Sequence, residues 1–153
     1  MSQEANHASP QENYQVSAQI GHLLRRAYQR HSSFFQQSIP NAQLTTAQFV
    51  VLCTVREHSG SSLAEIVKAA VIDQATIRGV VDRLKQRDLL NVDLDANDKR
   101  KVVLTLTPKG LELIKVVEPI AMQITESTYG KLNPAERFAL DFLLKKMLDD
   151  PQD

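Results

Sequence analysis

The sequence has no tryptophan, a single cysteine, few aromatics and no excess charge of either sign. Each shortage excludes something. One cysteine, Cys53, rules out an intramolecular disulfide framework and any zinc site built from several cysteines. An aromatic content of 5% argues against an aromatic-rich β-sandwich or a carbohydrate-binding platform. No apolar run approaches the roughly 18 residues that a membrane span needs. The opening MSQEANHASPQEN lacks the basic and apolar regions of a secretory signal. The expectation is a soluble chain in the reducing cytoplasm. What is present is 153 residues, 42% hydrophobic and 24% charged, enough for one domain with a real core and extra elements for assembly.

A balance of 18 basic against 18 acidic side chains argues at first against a nucleic-acid partner. Counted by segment, the balance dissolves. Residues 1–43 carry a net +1, 44–72 are neutral, 73–110 carry +2, and 111–153 carry −3. The zero is a sum of unlike parts.

Residues 1–13 are polar and aperiodic and read as a disordered tail. A helical pattern begins at about residue 14. At 100° per residue, Val16, Ile20, Leu24, Ala27, His31 and Phe34 share one stripe, and the helix should stop before Pro40. A second helix is expected over residues 46–58. A third starts after Ser62, where Ser62 and Glu65 have capping-box spacing, and ends near Ala70. A fourth starts after Asp73 and carries Ile77, Val80, Val81 and Leu84 on one face. The period then changes. Residues 90–93 and 102–106 are short and rich in β-formers, and flank a polar stretch, as in a hairpin with a long tip. Thr107-Pro108 opens a long helix expected to bend at Pro119, and Asn133-Pro134-Ala135-Glu136 opens a last one.

Three short helices followed by a hairpin make up a winged helix-turn-helix. The fold class is therefore mostly α with a small β wing. The last helix has Phe138, Leu140, Phe142, Leu143, Leu144 and Met147 around nearly its whole circumference. Such a helix is normally buried, and burial in a dimer interface is the simplest answer.

The fourth helix shows solvent Ala75, Gly79, Asp82, Arg83 and Gln86, with Gln74, Thr76 and Arg78 near its start. Gln can pair with adenine and Arg with guanine in the major groove, and small Ala75 and Gly79 allow close approach. Between Arg78 and Arg87 there are four cations and one acid. Taken alone, this also fits an ordinary solvated amphipathic helix. The hairpin tip weighs against that reading, because Lys99, Arg100 and Lys101 form three consecutive cations with Asp98 two residues before Arg100. A narrow minor groove attracts an inserted Arg, and Asp98 could orient that guanidinium through a bidentate pair.

The runs Leu44-Thr45-Thr46-Ala47-Gln48-Phe49 with Leu52, and Ile72-Asp73-Gln74-Ala75-Thr76-Ile77 with Val80-Val81-Asp82-Arg83-Leu84, resemble the MarR family of transcription regulators. So do Asp95, Asp98 and Arg100, and the segment Leu104-Thr105-Leu106-Thr107-Pro108-Lys109-Gly110. The resemblance covers roughly residues 14–149. Asp88 stands where the family usually has Gly, and Val92 where a basic residue is frequent. The resemblance implies a homodimer on a palindromic operator, with dimerisation helices at 14–43 and 111–149 and a DNA-binding domain at 44–110. It implies DNA contacts from Gln74, Ala75, Thr76, Arg78, Arg83, Asp98, Lys99, Arg100 and Lys101. It also implies a repressor released by a small aromatic carboxylate.

The segments IGHLLRRAYQRH and IDQATIRGVVDRL are similar to the branch of this family that represses nicotinate catabolism, which makes a hydroxylated nicotinate the expected effector. Tyr28, His31, Phe34 and Phe49 are the candidate ligand-binding residues. His31 could meet a carboxylate, or could equally be a core histidine bonded to a backbone carbonyl. Cys53 sits in the apolar run FVVLC and reads as a buried hydrophobe. Peroxide sensors of the family carry their reactive Cys near the start of the first helix, which this chain does not. His7, His22, His31 and His58 lack metal-ligand spacing, and no cofactor motif is present. No catalytic motif is found either, so an enzyme is not expected. The remaining rival is a helical adaptor that binds protein, which would have no need for cations on a hairpin tip.

Overall fold

A computed structural model describes residues 14–39 and 44–149. The expected tail at 1–13 and part of the Pro40 connection lie outside the described residues. After a single 3-10 turn at Val16–Ala18, the elements are α1 (Ile20–Ser38), α2 (Thr46–Glu57), α3 (Leu63–Ala70), α4 (Gln74–Gln86), β1 (Leu90–Leu94), β2 (Val102–Leu106), α5 (Pro108–Tyr129) and α6 (Pro134–Leu148). The expected order holds, with β1 one residue longer than read and the first helix starting later. Pro119 lies inside α5 without ending it.

Local chemistry sets the helix starts. Thr45, Ser62 and Asn133 each close a reciprocal capping box with Gln48, Glu65 and Glu136. Asp73 and Thr107 cap α4 and α5. Each such cap contributes about 1 kcal/mol.

One core joins α1 to α5 and the hairpin. Phe35 of α1, Leu52 and Val55 of α2, Ile66 of α3, Ile77 and Leu84 of α4, Leu90 and Leu104 of the hairpin, and Ile114 and Val117 of α5 are all buried in it. The strands pair antiparallel with Leu90 opposite Leu106 and Val92 opposite Leu104. A third edge comes from the loop between α2 and α3, which the sequence pattern did not reveal. Gly60 N–H donates to the Leu104 carbonyl at 3.1 Å and Leu104 N–H donates to the Ser61 carbonyl at 3.1 Å. The wing is thereby stitched to the helix-turn-helix.

Among the described residues, two other than glycine adopt left-handed backbone. Asp88 (φ 58) does so just after α4, where the family usually has Gly. Aspartate tolerates this region, so the turn survives the substitution. Val71 (φ 53) does so in the turn between α3 and α4, where a β-branched residue is strained.

The ends of the chain are held differently. Arg30 of α1 donates to the Ser127 carbonyl of α5 at 3.1 Å. Tyr129 donates to Asp141 of α6 at 2.7 Å, and Arg137 lies over the Tyr129 ring while pairing with Glu126. Yet α6 has no buried residue at all; Phe138 is 75% exposed, and Phe142, Leu143 and Met147 are also open. The stripe read on α1 is open too at Ile20 and Leu24, and the buried residue of that helix is Phe35.

A tight joint links α4, β1 and α5. Thr107 donates through its hydroxyl to the Asp88 carbonyl at 2.7 Å and accepts from Gly110 N–H at 3.0 Å. A Cβ at Gly110 would stand 2.3 Å from the Leu89 carbonyl oxygen. Gly110→Ala is expected to cost about 3 kcal/mol, at the upper end of overpacking penalties, lowering Tm by about 6–12 °C in a thermal melt.

Candidate nucleic-acid interface

α4 turns Ile77, Val80, Val81 and Leu84 into the core, which leaves Gln74, Ala75, Thr76, Arg78 and Arg83 exposed. Periodicity divides them. Gln74 and Arg78 lie on the flank toward the wing, Ala75 at the apex, and Thr76 and Arg83 on the far flank. Asp73 accepts from Thr76 N–H at 2.8 Å and from the Thr76 hydroxyl at 2.7 Å. The Thr76 hydroxyl bond, then the backbone bond, holds the Asp73 carboxyl below its ordinary range. The helix start is therefore anionic and fixed, and the Thr76 proton is already used.

The wing tip is built from two carboxylates. Asp95 accepts from Asp98 N–H at 2.9 Å and from Asn97 N–H at 2.7 Å, and these bonds lower its carboxyl in that order. Asp98 then accepts from Arg100 N–H at 3.1 Å and from Arg100 Nε at 3.3 Å, both on one oxygen. The bidentate fork expected from the sequence is not what forms. A spacing of two residues in a tight turn brings Nε, rather than the two terminal nitrogens, to Asp98. The Arg100 side chain stays 93% exposed, with its terminal nitrogens outside the pair. Lys99 and Lys101 are exposed beside it. Asp95 was not among the expected site residues; its signal was the Asp-x-x-Asp spacing of a polar turn.

Helix and wing converge. Gln74 and Arg78 of α4, Arg100, Lys101 and Val102 of the wing, and Ser62–Ala64 with Val67 of α3 line one groove of about 350 Å³. Three cations and an amide thus face one channel, and among the described residues no acidic side chain lines it. Thr76, Arg83, Asp98 and Lys99 are not part of that lining. Such a channel suits a polyanion whose edges also present hydrogen-bonding groups.

The four expected ligand residues are not gathered in the same way. His31 Nδ1 lies 3.0 Å from Thr128 Oγ1, whose own proton goes to the Ile124 carbonyl at 2.7 Å. Nδ1 is therefore the donor, and Nε2 is the nitrogen left for a ligand. The partner is a hydroxyl, not the backbone carbonyl considered above. Phe34 lies under the Arg30 guanidinium at 4.8 Å, Phe49 pairs with Phe35 at 5.5 Å between centroids, and Tyr28 is exposed.

The channel, the hairpin and the three preceding helices define a winged helix-turn-helix transcription regulator. The chain belongs to the MarR family, whose model matches residues 44–102. It is 50% identical over 139 residues to the transcriptional repressor NicR of Pseudomonas putida, covering 91% of this chain and 88% of that protein. In structure it is similar to BpsR of Bordetella bronchiseptica, described for regulation of its DNA binding by 6-hydroxynicotinic acid. That match has 58% identity, a TM-score of 0.83, and covers 90% of this chain and 98% of the other. A mutant form of MarR from Escherichia coli, complexed with operator DNA, matches at 26% identity and a TM-score of 0.77, covering 84% of this chain and 92% of that one. These kinships set aside both the enzyme and the adaptor.

Cys53 is half-buried beside the Arg56–Glu118 ion pair (2.6 Å) that ties α2 to α5. Burial pushes its thiol up to about 11 against the opposing pull of Arg56. It is held as the thiol at neutral pH. At pH 8 it should react with a disulfide reagent on the order of 100-fold more slowly than a thiol of ordinary pKa. Recovery of the ordinary rate in guanidinium would confirm burial as the cause, and a fast native reaction would contradict it.

Proposed function

We propose that this chain is a cytoplasmic, ligand-responsive repressor that binds a palindromic operator as a homodimer and is released by a hydroxylated nicotinate. The observation that carries the DNA reading is the channel in which Arg78 and Gln74 of α4 face Arg100 and Lys101 of the wing. In this reading α4 lies in the major groove. Gln74, Ala75 and Arg78 meet base edges there, while Arg83 meets the backbone on the far side, where Thr76, its donors held by Asp73, makes a packing contact only. Arg100, steadied through Nε, inserts its terminal nitrogens into the minor groove, with Lys99 and Lys101 on phosphates. Residues 44–110 form the reading lobe. Residues 14–43 and 111–149 supply the dimerisation helices, which accounts for the open apolar faces of α1 and α6. Two lobes related by a two-fold axis call for half-sites about one helical turn apart.

The effector reading draws on the kinship with BpsR and NicR. His31 Nε2, the acceptor nitrogen of the Nδ1–H imidazole, is the group suited to a ring hydroxyl, with Tyr28, Phe34 and Phe49 as the further candidate ligand residues.

Arg100→Ala is expected to weaken operator binding about tenfold, near 1.4 kcal/mol, while size-exclusion chromatography still shows a dimer. Arg78→Ala should cost about 1–3 kcal/mol at one base pair and relax preference there. Unchanged binding by the Arg100 variant in a gel-shift titration would remove the wing from the interface. Added 6-hydroxynicotinic acid should raise Tm and release the operator, and His31→Ala should blunt both. If the compound does neither, the effector assignment fails while the DNA assignment stands.

A further inference from the structure

Val71 is the strangest residue in the reading lobe. It holds a left-handed backbone (φ 53) that β-branched side chains disfavour, and its side chain is 89% exposed. The other positive-φ positions among the described residues are Gly60, Gly130 and Asp88, all residue types that tolerate the region. A strained backbone is normally offset by burial, yet Val71 buries almost nothing within the chain. A left-handed residue is a common way to end a helix, as Val71 ends α3, but that role does not call for a valine.

Its position indicates what does. Val71 ends α3 three residues before Gln74 and two before the Asp73 cap. Ala64 and Val67 of α3 line the channel shared with Gln74, Arg78 and Arg100, and Val71 comes one helical turn after Val67. Val71 itself is not part of the channel lining, but it is an exposed apolar side chain three residues before Gln74, and there it can carry sequence information in one principal way, by contact with the 5-methyl group of thymine in the major groove. The surrounding cations and amide suit duplex DNA better than an apolar protein face.

We propose that Val71 is a specificity-determining residue that reads a thymine methyl at the edge of each half-site, the strained turn serving to hold it out of the core. This rests on the DNA-binding reading given above. It extends base reading from α4 back into the turn.

The test uses the full chain and an operator enriched by the wild-type protein from a random duplex library. Each thymine of one half-site is replaced in turn by deoxyuridine, which removes only the methyl. One replacement should weaken wild-type binding about fourfold, the worth of one buried methyl-sized group. The V71N variant, which tolerates the left-handed turn, should bind less tightly and lose nothing further at that position. The V71G variant, which keeps the left-handed turn without the side chain, should also bind more weakly. Equal deoxyuridine penalties in wild type and V71N would overturn the proposal, as would a V71G variant with undiminished affinity. Failure of the wild type to enrich any sequence would instead overturn the DNA-binding reading, and this inference with it.

Discussion

The reading lobe depends on the joint at Thr107. Its hydroxyl holds the Asp88 carbonyl and the Gly110 N–H, its own N–H donates to the Leu89 carbonyl at 3.2 Å, and Lys109 reaches the Arg87 carbonyl at 2.8 Å. Together these hydrogen bonds tie the end of α4, the start of β1 and the first turn of α5. Each is worth roughly 1 kcal/mol net, but their geometric effect is larger. They set the angle at which α4 leaves the lobe and so the angle at which α4 and the wing share a channel. The lack of a side chain at Gly110 is what lets the two backbones meet so closely.

Electrostatics then acts on that geometry. A chain with no net charge has little long-range pull on a polyanion. Its cations are useful because Arg78, Arg100 and Lys101 line one channel while Asp73, Asp95 and Asp98 are engaged in hydrogen bonds. Asp73 is held by Thr76, Asp95 by two wing amides, and Asp98 by Arg100. These carboxylates shape the backbone that carries the cations. They offset charge locally, which favours recognition by position over indiscriminate attraction.

Much of the fold was legible because its signals are local. Capping residues, the switch from helical to alternating period, and Thr107-Pro108 each announce themselves within a few residues. The exposed face of α4 was legible for the same reason, since Ile77, Val80, Val81 and Leu84 point one way and the remainder must point the other. What escaped was contact between distant segments. The bond of Gly60 and Ser61 to Leu104 has no sequence signature, nor does the Thr128 hydroxyl that sets the His31 tautomer. The Asp98–Arg100 pair was foreseen in identity but not in geometry, because the turn limits how far a guanidinium can fold back. Val71 was invisible as a feature, since a valine after a helix looks like any other until its φ is known.

The amino-acid order by itself determined the elements, their polarity and the residues that α4 and the wing expose, because hydrophobic period and capping act over one or two helical turns. It also determined that α6 has more apolar surface than the chain can hide. Tertiary structure decided which of the available residues share a channel. Gln74 and Arg78 are separated from Arg100 and Lys101 by the rest of α4, the whole of β1 and the wing tip. Only the hairpin's return along β2, held by the α2–α3 loop and the Thr107 joint, places them on one surface. Spacing along a chain cannot encode that distance. Packing can.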